Sequence, residues 1–213
     1  MMRNIVTLLG MPGAGKGTQA QIIEEELAIA NVSTGAILRE VSKSKSDLGQ
    51  KVQTYLNSGQ LVPDEIIIEM LVERISKDDC NNGFILDGFP RNIEQAKSLD
   101  QAGVSIDLVI YLKILEEQII ERMSGRRIHL ASGRSYHTTF NPPKVDGKDD
   151  LTGEDLVQRS DDKPDVIKKR LEVYFNETEP MLDFYKNKDI QFCEIDASEP
   201  VKAVTEKILK IIN

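Results

Sequence analysis

The chain has 213 residues, with 35 acidic against 27 basic side chains and a formal net charge of −8. That length buries a substantial apolar core as one larger domain or a core with insertions, and leaves little room for two independent domains. The negative balance argues against nucleic acid or an anionic membrane surface as the main partner, so an anionic ligand needs a locally basic site. Cys80 and Cys193 stand far apart and outside CxxC spacing; they read as buried free thiols rather than a disulfide or a metal site. The apolar run after Arg3 is too short for a signal-peptide core, and no stretch reaches the roughly 18 apolar residues of a membrane span. The expectation is a soluble cytoplasmic protein.

Residues 5–18, IVTLLGMPGAGKGT, join an apolar β-branched run, a glycine-rich turn and a lysine. The order fits a buried parallel strand, a phosphate-binding loop and a helix whose N-terminal dipole adds to the site. The spacing from Gly10 to Lys16 matches GxxxxGK, yet Gly17 follows the lysine and the hydroxyl arrives one place late, on Thr18. A magnesium ion therefore has to lean on substrate oxygens, waters and another carboxylate.

The pattern over 19–30 predicts an amphipathic helix, with Glu24, Glu25 and Glu26 on its outer side. Ser33 or Thr34 then reads as the N-cap of a helix reaching about residue 43. Residues 42–63 are polar and helical in pattern, with Gly49 and Gly59 as breaks, and 64–76 form a returning helix. A second strand over 84–86 delivers Asp87 to the crevice outside the strand ends, where open α/β sheets bind ligands. Further elements are a helix over 92–102, a strand over 107–112, and a helix over 116–126 on which Arg122 and Arg126 share a face. Composition shifts over 127–162, where Tyr136, Phe140 and Val145 favour a small β-rich subdomain. Asp162 reads as the N-cap of a long helix to about residue 187, kinked at Pro180; a strand over 190–195 and a helix over 201–212 close the chain. Alternating strands and helices predict an α/β fold.

Arg39, Arg91, Arg126, Arg159 and Arg170 each stand beside one of these motifs. Guanidinium forks match the oxygens of a phosphoryl group in transfer better than ammonium groups do.

GMPGAGKGT, STGAILR, GFILDGFPRNIEQ, SGRRIH, GRSYH, FNPPKVDGKDDLTGEDLVQR and DDKPDVIKKRLEVY stand in the order found in bacterial adenylate kinases of the long-lid form, which the chain resembles end to end. The resemblance implies a P-loop-containing three-layer α/β fold with a five-stranded parallel sheet. It divides the chain into a core (1–32, 63–126, 163–213), an AMP-binding insertion (33–62) and a lid (127–162). It implies reversible transfer of the γ-phosphoryl of MgATP to AMP, giving two ADP, by a monomer.

Carried over by position, Gly13, Ala14, Gly15, Lys16, Gly17 and Thr18 hold the ATP phosphates; Arg122, Ser135, Tyr136 and the Glu199 carbonyl meet the rest of ATP. Arg126, Arg159 and Arg170 surround the transferring group. Arg39 and Arg91 hold the AMP phosphate in a pocket of Thr34, Gln60, Leu61, Val62, Gly88, Phe89 and Pro90. Gln95 reads the base, its amide offering the donor and acceptor that adenine needs.

Asp87 is the magnesium residue, through waters. Two departures stand out: STGA replaces the usual STGD, so Ala36 lacks a carboxylate, and the four lid positions that are cysteines in zinc-bearing relatives are His129, Ser132, Asp149 and Thr152. Those four suit a hydrogen-bond network better than zinc, which is not expected. A UMP/CMP-type kinase is the alternative within the family's chemistry, and Gln95 speaks against it. A P-loop GTPase switch is the alternative outside it, but the run Asn187-Lys188-Asp189-Ile190 places its aspartate one residue early for NKxD.

Overall fold

The computed structural model describes residues 5–212; Arg3 and its neighbours at the N-terminus, and residue 213, lie outside the described residues. Strands β1 (Ile5–Leu9), β2 (Ala30–Ser33), β3 (Phe84–Asp87), β4 (Leu108–Lys113) and β8 (Gln191–Asp196) form one parallel sheet in the order β2-β3-β1-β4-β8. Alternation along the strands feeds two cores. Val6 and Leu8 of β1 pack with Ile110 and Leu112 on one face; Leu9 packs with Leu86, Val109 and Tyr111 on the other. Helices α1 (Lys16–Leu27), α7 (Pro164–Val173) and α9 (Val201–Ile212) cover the first face, and α4 (Asp64–Ile75), α5 (Ile93–Gln101) and α8 (Glu179–Lys186) the second. The register sets Ser33, Asp87 and Leu8 side by side at the strand ends. Among the described residues no helix is long and apolar enough to cross a membrane.

Beside the sheet stand α2 (Thr34–Ser42) and α3 (Asp47–Ser58). After α6 (Glu116–Ser124), β5 (Arg126–His129) pairs antiparallel with β6 (Ser135–His137) and β7 (Leu156–Val157) in a separate small sheet.

Several sequence expectations need correction. Helix α1 stops at Leu27 rather than reaching residue 30, because Ala28 turns left-handed at φ 53° and Ala30 opens β2. Gly49 is no break: it lies buried inside α3, where a Cβ would meet Ser44 Oγ at 2.4 Å. Gly59 does end that helix, at φ 72°. Helix α6 ends before Arg126, so Arg122 and Arg126 do not share a helical face. At the junction, Gly125 passes so close to His137 that a Cβ would sit 2.3 Å from its Nε2, and the chain leaves as a strand.

Asp162 does not cap α7. It closes a short 3-10 turn, Ser160–Asp162, and Lys163 takes the N-cap place without a side-chain cap. The long helix breaks earlier than Pro180, in a π-helical turn over Tyr174–Thr178, with the proline in the first turn of α8. Proline offers no N–H to the preceding turn, which widens to accommodate it. Cys80 is buried, but Cys193 on β8 is only partly so.

Candidate active site

The strand ends of the large sheet open into one cavity of about 640 Å³. The glycine loop forms its floor. Gly10, at φ 146°, runs so close to β4 that a Cβ would lie 2.6 Å from Leu112 O, and Gly13, at φ 82°, would strike Met123 Cγ at 2.7 Å. Glycine alone fits both places. Gly15 turns left-handed at the N-cap and α1 begins with Lys16. The Lys16 ammonium donates to Gly10 O at 2.7 Å and Met11 O at 2.8 Å, folded back on its own loop. Burial lowers its pKa to about 7; Asp87 acts against this, while Arg91, Arg170 and Arg126 add to it.

Asp87 reaches the cavity from the end of β3, and its Oδ2 accepts from Ser33 Oγ at 2.9 Å. A Cβ at Gly17 would lie 3.3 Å from that same oxygen. The carboxylate thus stands beside the place where the standard loop carries its hydroxyl.

Arg39 from α2, Arg91 after β3, Arg126 on β5, Arg159 before α7 and Arg170 on α7 line the same cavity. Their balance of partners is uneven. Arg126 Nε donates to Asp162 Oδ2 at 2.7 Å and its Nη2 to the other carboxylate oxygen. Arg170 Nη1 donates to Asp161 Oδ2 at 2.8 Å. Arg91 Nε meets only a carbonyl, Gly88 O at 2.8 Å, and burial brings its pKa down to about 10. Arg159 Nε is buried with no hydrogen-bond partner among the described residues, and burial together with Arg39 and Arg126 lowers the guanidinium pKa to about 9. Burial also lowers Arg39 and Arg170.

The residues expected to hold ATP all line this cavity: Gly13, Ala14, Gly15, Lys16, Gly17, Thr18, Arg122, Arg126, Ser135, Tyr136 and Glu199. On the acceptor side, Arg39, Leu61, Gly88, Pro90, Arg91, Arg159 and Arg170 line it, whereas Thr34, Gln60, Val62, Phe89 and Gln95 do not. Thr34, Val62, Phe89 and Gln95 are buried behind the wall, and Gln60 is exposed. Gln95 Nε2 donates to Asp64 Oδ1 at 2.6 Å and its Oε1 accepts from the Arg91 main-chain N–H at 2.7 Å.

Asp161 and Asp162 were missed as site residues. An aspartate just before Pro164 looks like a cap, and nothing local marks it as the partner of Arg126. His137 and Phe140 were missed too. Their rings lie 4.5 Å apart on the cavity wall, with His137 Nδ1 accepting from the N–H groups of Thr139 and Phe140. His129, Ser132, Asp149 and Thr152 form a hydrogen-bonded network: His129 Nδ1 meets Ser132 Oγ at 2.7 Å, and Thr152 Oγ1 donates to Asp149 at 2.9 Å. Arg134 forks onto Asp149 at 2.8 and 2.7 Å, the Tyr136 hydroxyl donates to it at 2.9 Å, and Glu154 meets His129 Nε2.

A family model described as adenylate kinase matches residues 8–190. The chain is 51% identical over 209 residues to an adenylate kinase of Francisella philomiragia, covering 95% of this chain and 97% of that protein. It is 50% identical over 214 residues to an adenylate kinase of Francisella tularensis subsp. novicida, covering 98% of each. Matches of this extent, to the family model and over almost the full length of such relatives, place this chain, with its glycine loop, strand-end carboxylate and converging arginines, in the adenylate kinase family.

Proposed function

We propose that this phosphotransferase moves the γ-phosphoryl group of MgATP to AMP, reversibly, giving two ADP. The observation that carries the reading is the crowd of under-compensated cations on one cavity. Lys16 is held near 7, Arg159 near 9 and Arg91 near 10 because burial and mutual repulsion disfavour their charges. A ligand rich in phosphate oxygens relieves that repulsion and supplies the missing partners.

In this reading the loop N–H groups of residues 13–18 and Lys16 hold the donor phosphates, and Arg122, with Ser135, Tyr136 and Glu199, borders its nucleoside. Arg126, Arg159 and Arg170 face the group in transfer and stabilise charge spread over its oxygens. Arg39 and Arg91 hold the acceptor phosphate. Thr34, Gln60, Leu61, Val62, Gly88, Phe89 and Pro90 shape the acceptor pocket, and Gln95 reads its base. No strong general base is needed, since alignment and charge stabilisation carry the reaction.

Magnesium fits Asp87, a hard oxygen donor on the cavity wall beside Gly17, with Ser33 fixing one of its oxygens. When bound, the ion neutralises negative charge on the donor phosphates. Ala36, exposed on the same wall, offers no second carboxylate.

Residues 33–62 and 127–162 are proposed as insertions that close over acceptor and donor and exclude water, on a core of 1–32, 63–126 and 163–213. The separate antiparallel sheet of β5, β6 and β7 supports treating the second as a unit.

A panel of nucleoside monophosphates with MgATP, scored by ADP formation, tests the reading. AMP should be strongly preferred. Equal rates with UMP would overturn the base assignment, and near-normal transfer by a folded Lys16→Ala protein would overturn the whole.

A further inference from the structure

A closed polar network joins the first turn of α4 to the first turn of α5. Asp64 accepts from Gln95 Nε2 at 2.6 Å and from Asn92 Nδ2 at 3.3 and 3.2 Å. Asn92 caps α5, its Oδ1 accepting from the Gln95 main-chain N–H at 2.7 Å. Gln95 Oε1 in turn accepts from the Arg91 main-chain N–H at 2.7 Å, and the Gln95 side chain has no exposed surface.

A side-chain amide can turn over and exchange oxygen for nitrogen at little steric cost, so its neighbours decide which end is which. Both neighbours here are one-way. An ionised carboxylate only accepts and a main-chain N–H only donates, so the nitrogen faces Asp64 and the oxygen faces Arg91. Turning the amide over would oppose two donors at Arg91 and two acceptors at Asp64, away from water. Each contact uses one hydrogen or one lone pair, and one N–H and one lone pair remain, in fixed order.

We infer that Asp64 is a positioning residue for acceptor choice: by fixing the polarity of the Gln95 amide, it selects a 6-aminopurine monophosphate over a 6-oxopurine one. The inference rests on Gln95 being the base reader. A 6-aminopurine presents an exocyclic donor beside a ring acceptor, whereas a 6-oxopurine presents an acceptor beside a ring donor. The two differ so little in shape that a pocket wall cannot separate them. With the acceptor phosphate anchored at Arg39 and Arg91 and the wall over the buried Gln95 side chain drawn aside, the base meets the amide in one sense. An amide of fixed polarity then matches one order and opposes the other.

The test compares AMP with inosine monophosphate in wild type and Asp64→Asn, measuring kcat and KM with saturating MgATP and binding by calorimetry. Asparagine keeps the shape but carries no charge and one acceptor fewer, so the charge-assisted hold on Gln95 Nε2 is lost whichever way the new amide faces. The preference for AMP in kcat/KM should fall about tenfold or more, the loss of one charge-assisted contact. The KM for AMP should rise more than kcat falls, and the KM for ATP should not move. Asp64→Ser, well suited to the start of a helix, carries the same expectation if the asparagine variant does not fold. An unchanged preference in a folded variant overturns the inference, because a merely structural role weakens both nucleotides alike. If the wild type does not phosphorylate AMP, the reading of Gln95 falls and this inference with it. If it does and the preference persists in the variants, only this inference falls.

Discussion

Replacing Arg159 with methionine should make the free protein more stable and the enzyme nearly inactive. The Arg159 Nε is buried without a partner among the described residues, and burial, Arg39 and Arg126 lower the guanidinium pKa from its ordinary value to about 9 despite Asp161 and Asp162. At about 1.4 kcal/mol per pH unit, that difference sets up to roughly 5 kcal/mol against the charged form; water entering the open cavity relieves part of it. Methionine keeps an apolar stem and removes the charge. Recovering about 2 kcal/mol would raise Tm by roughly 4–8 °C in a domain of this size. The sign with pH is fixed. Because the folded pKa lies below the unfolded one, the penalty is full below about 9 and is relieved as pH rises from there towards the ordinary guanidinium range, so the gain should be flat across neutral pH. The same substitution removes a guanidinium proposed to face the transferring group, where losses on the order of 10³-fold or more are expected. Thermal unfolding followed by circular dichroism, with and without ADP, gives the first quantity, and ADP formation gives the second. Nucleotide should stabilise the wild type more than the variant and narrow the gap. A lower Tm for the free variant would refute the view that this charge is uncompensated, and near-normal turnover would refute its placement.

Lys16→Met should flatten a pH slope. With the folded pKa near 7 and that of a solvated lysine in the unfolded chain near 10.5, the unfolded chain holds a proton that the free folded protein lacks across that window, so stability of the wild type rises with pH there. Urea unfolding across the window reads the slope; an equal slope in both proteins would contradict the assignment. Asp162→Asn should destabilise by about 3 kcal/mol, because Asp162 is fully buried and Arg126 forks onto it. A Tm equal to wild type would show that Arg126 finds another partner. Asp149→Asn should act locally, since Asp149 takes the Arg134 fork, the Tyr136 hydroxyl and the Thr152 N–H and hydroxyl. Hydrogen exchange should quicken in β5, β6 and β7 while β1 and β4 stay protected; uniform acceleration would contradict this.

The strands of the large sheet and the glycine loop were legible because their signals are local. A β-branched apolar run ending in closely spaced glycines and a lysine can be read without knowing what lies elsewhere. Features set by distant contacts were not. The C-cap of α6 has to be Gly125 because His137 stands against it, and no window around Arg126 holds that information. Asp162 resembles a cap from its neighbour Pro164, yet its carboxylate is spent on Arg126, 36 residues away. Gln95 reads as a free amide in sequence, although Asp64 and the Arg91 N–H both hold it.

This difference between local and distant signals bears on the chemistry. The cations of the site were visible as motif residues; their counter-charges were not, and only the two together say what each cation can do. Arg126 and Arg170 already have resident carboxylates in Asp162 and Asp161, so an arriving phosphate has to compete with or share those partners. The Arg159 Nε has none, and Lys16 has only loop carbonyls. The gain on binding is therefore graded across the cavity. On the proposed placement it is largest where the free protein leaves a cation least satisfied and smallest where an aspartate already stands, so Arg126 and Arg170 would stay ordered without holding the product as tightly as bare guanidinium groups would.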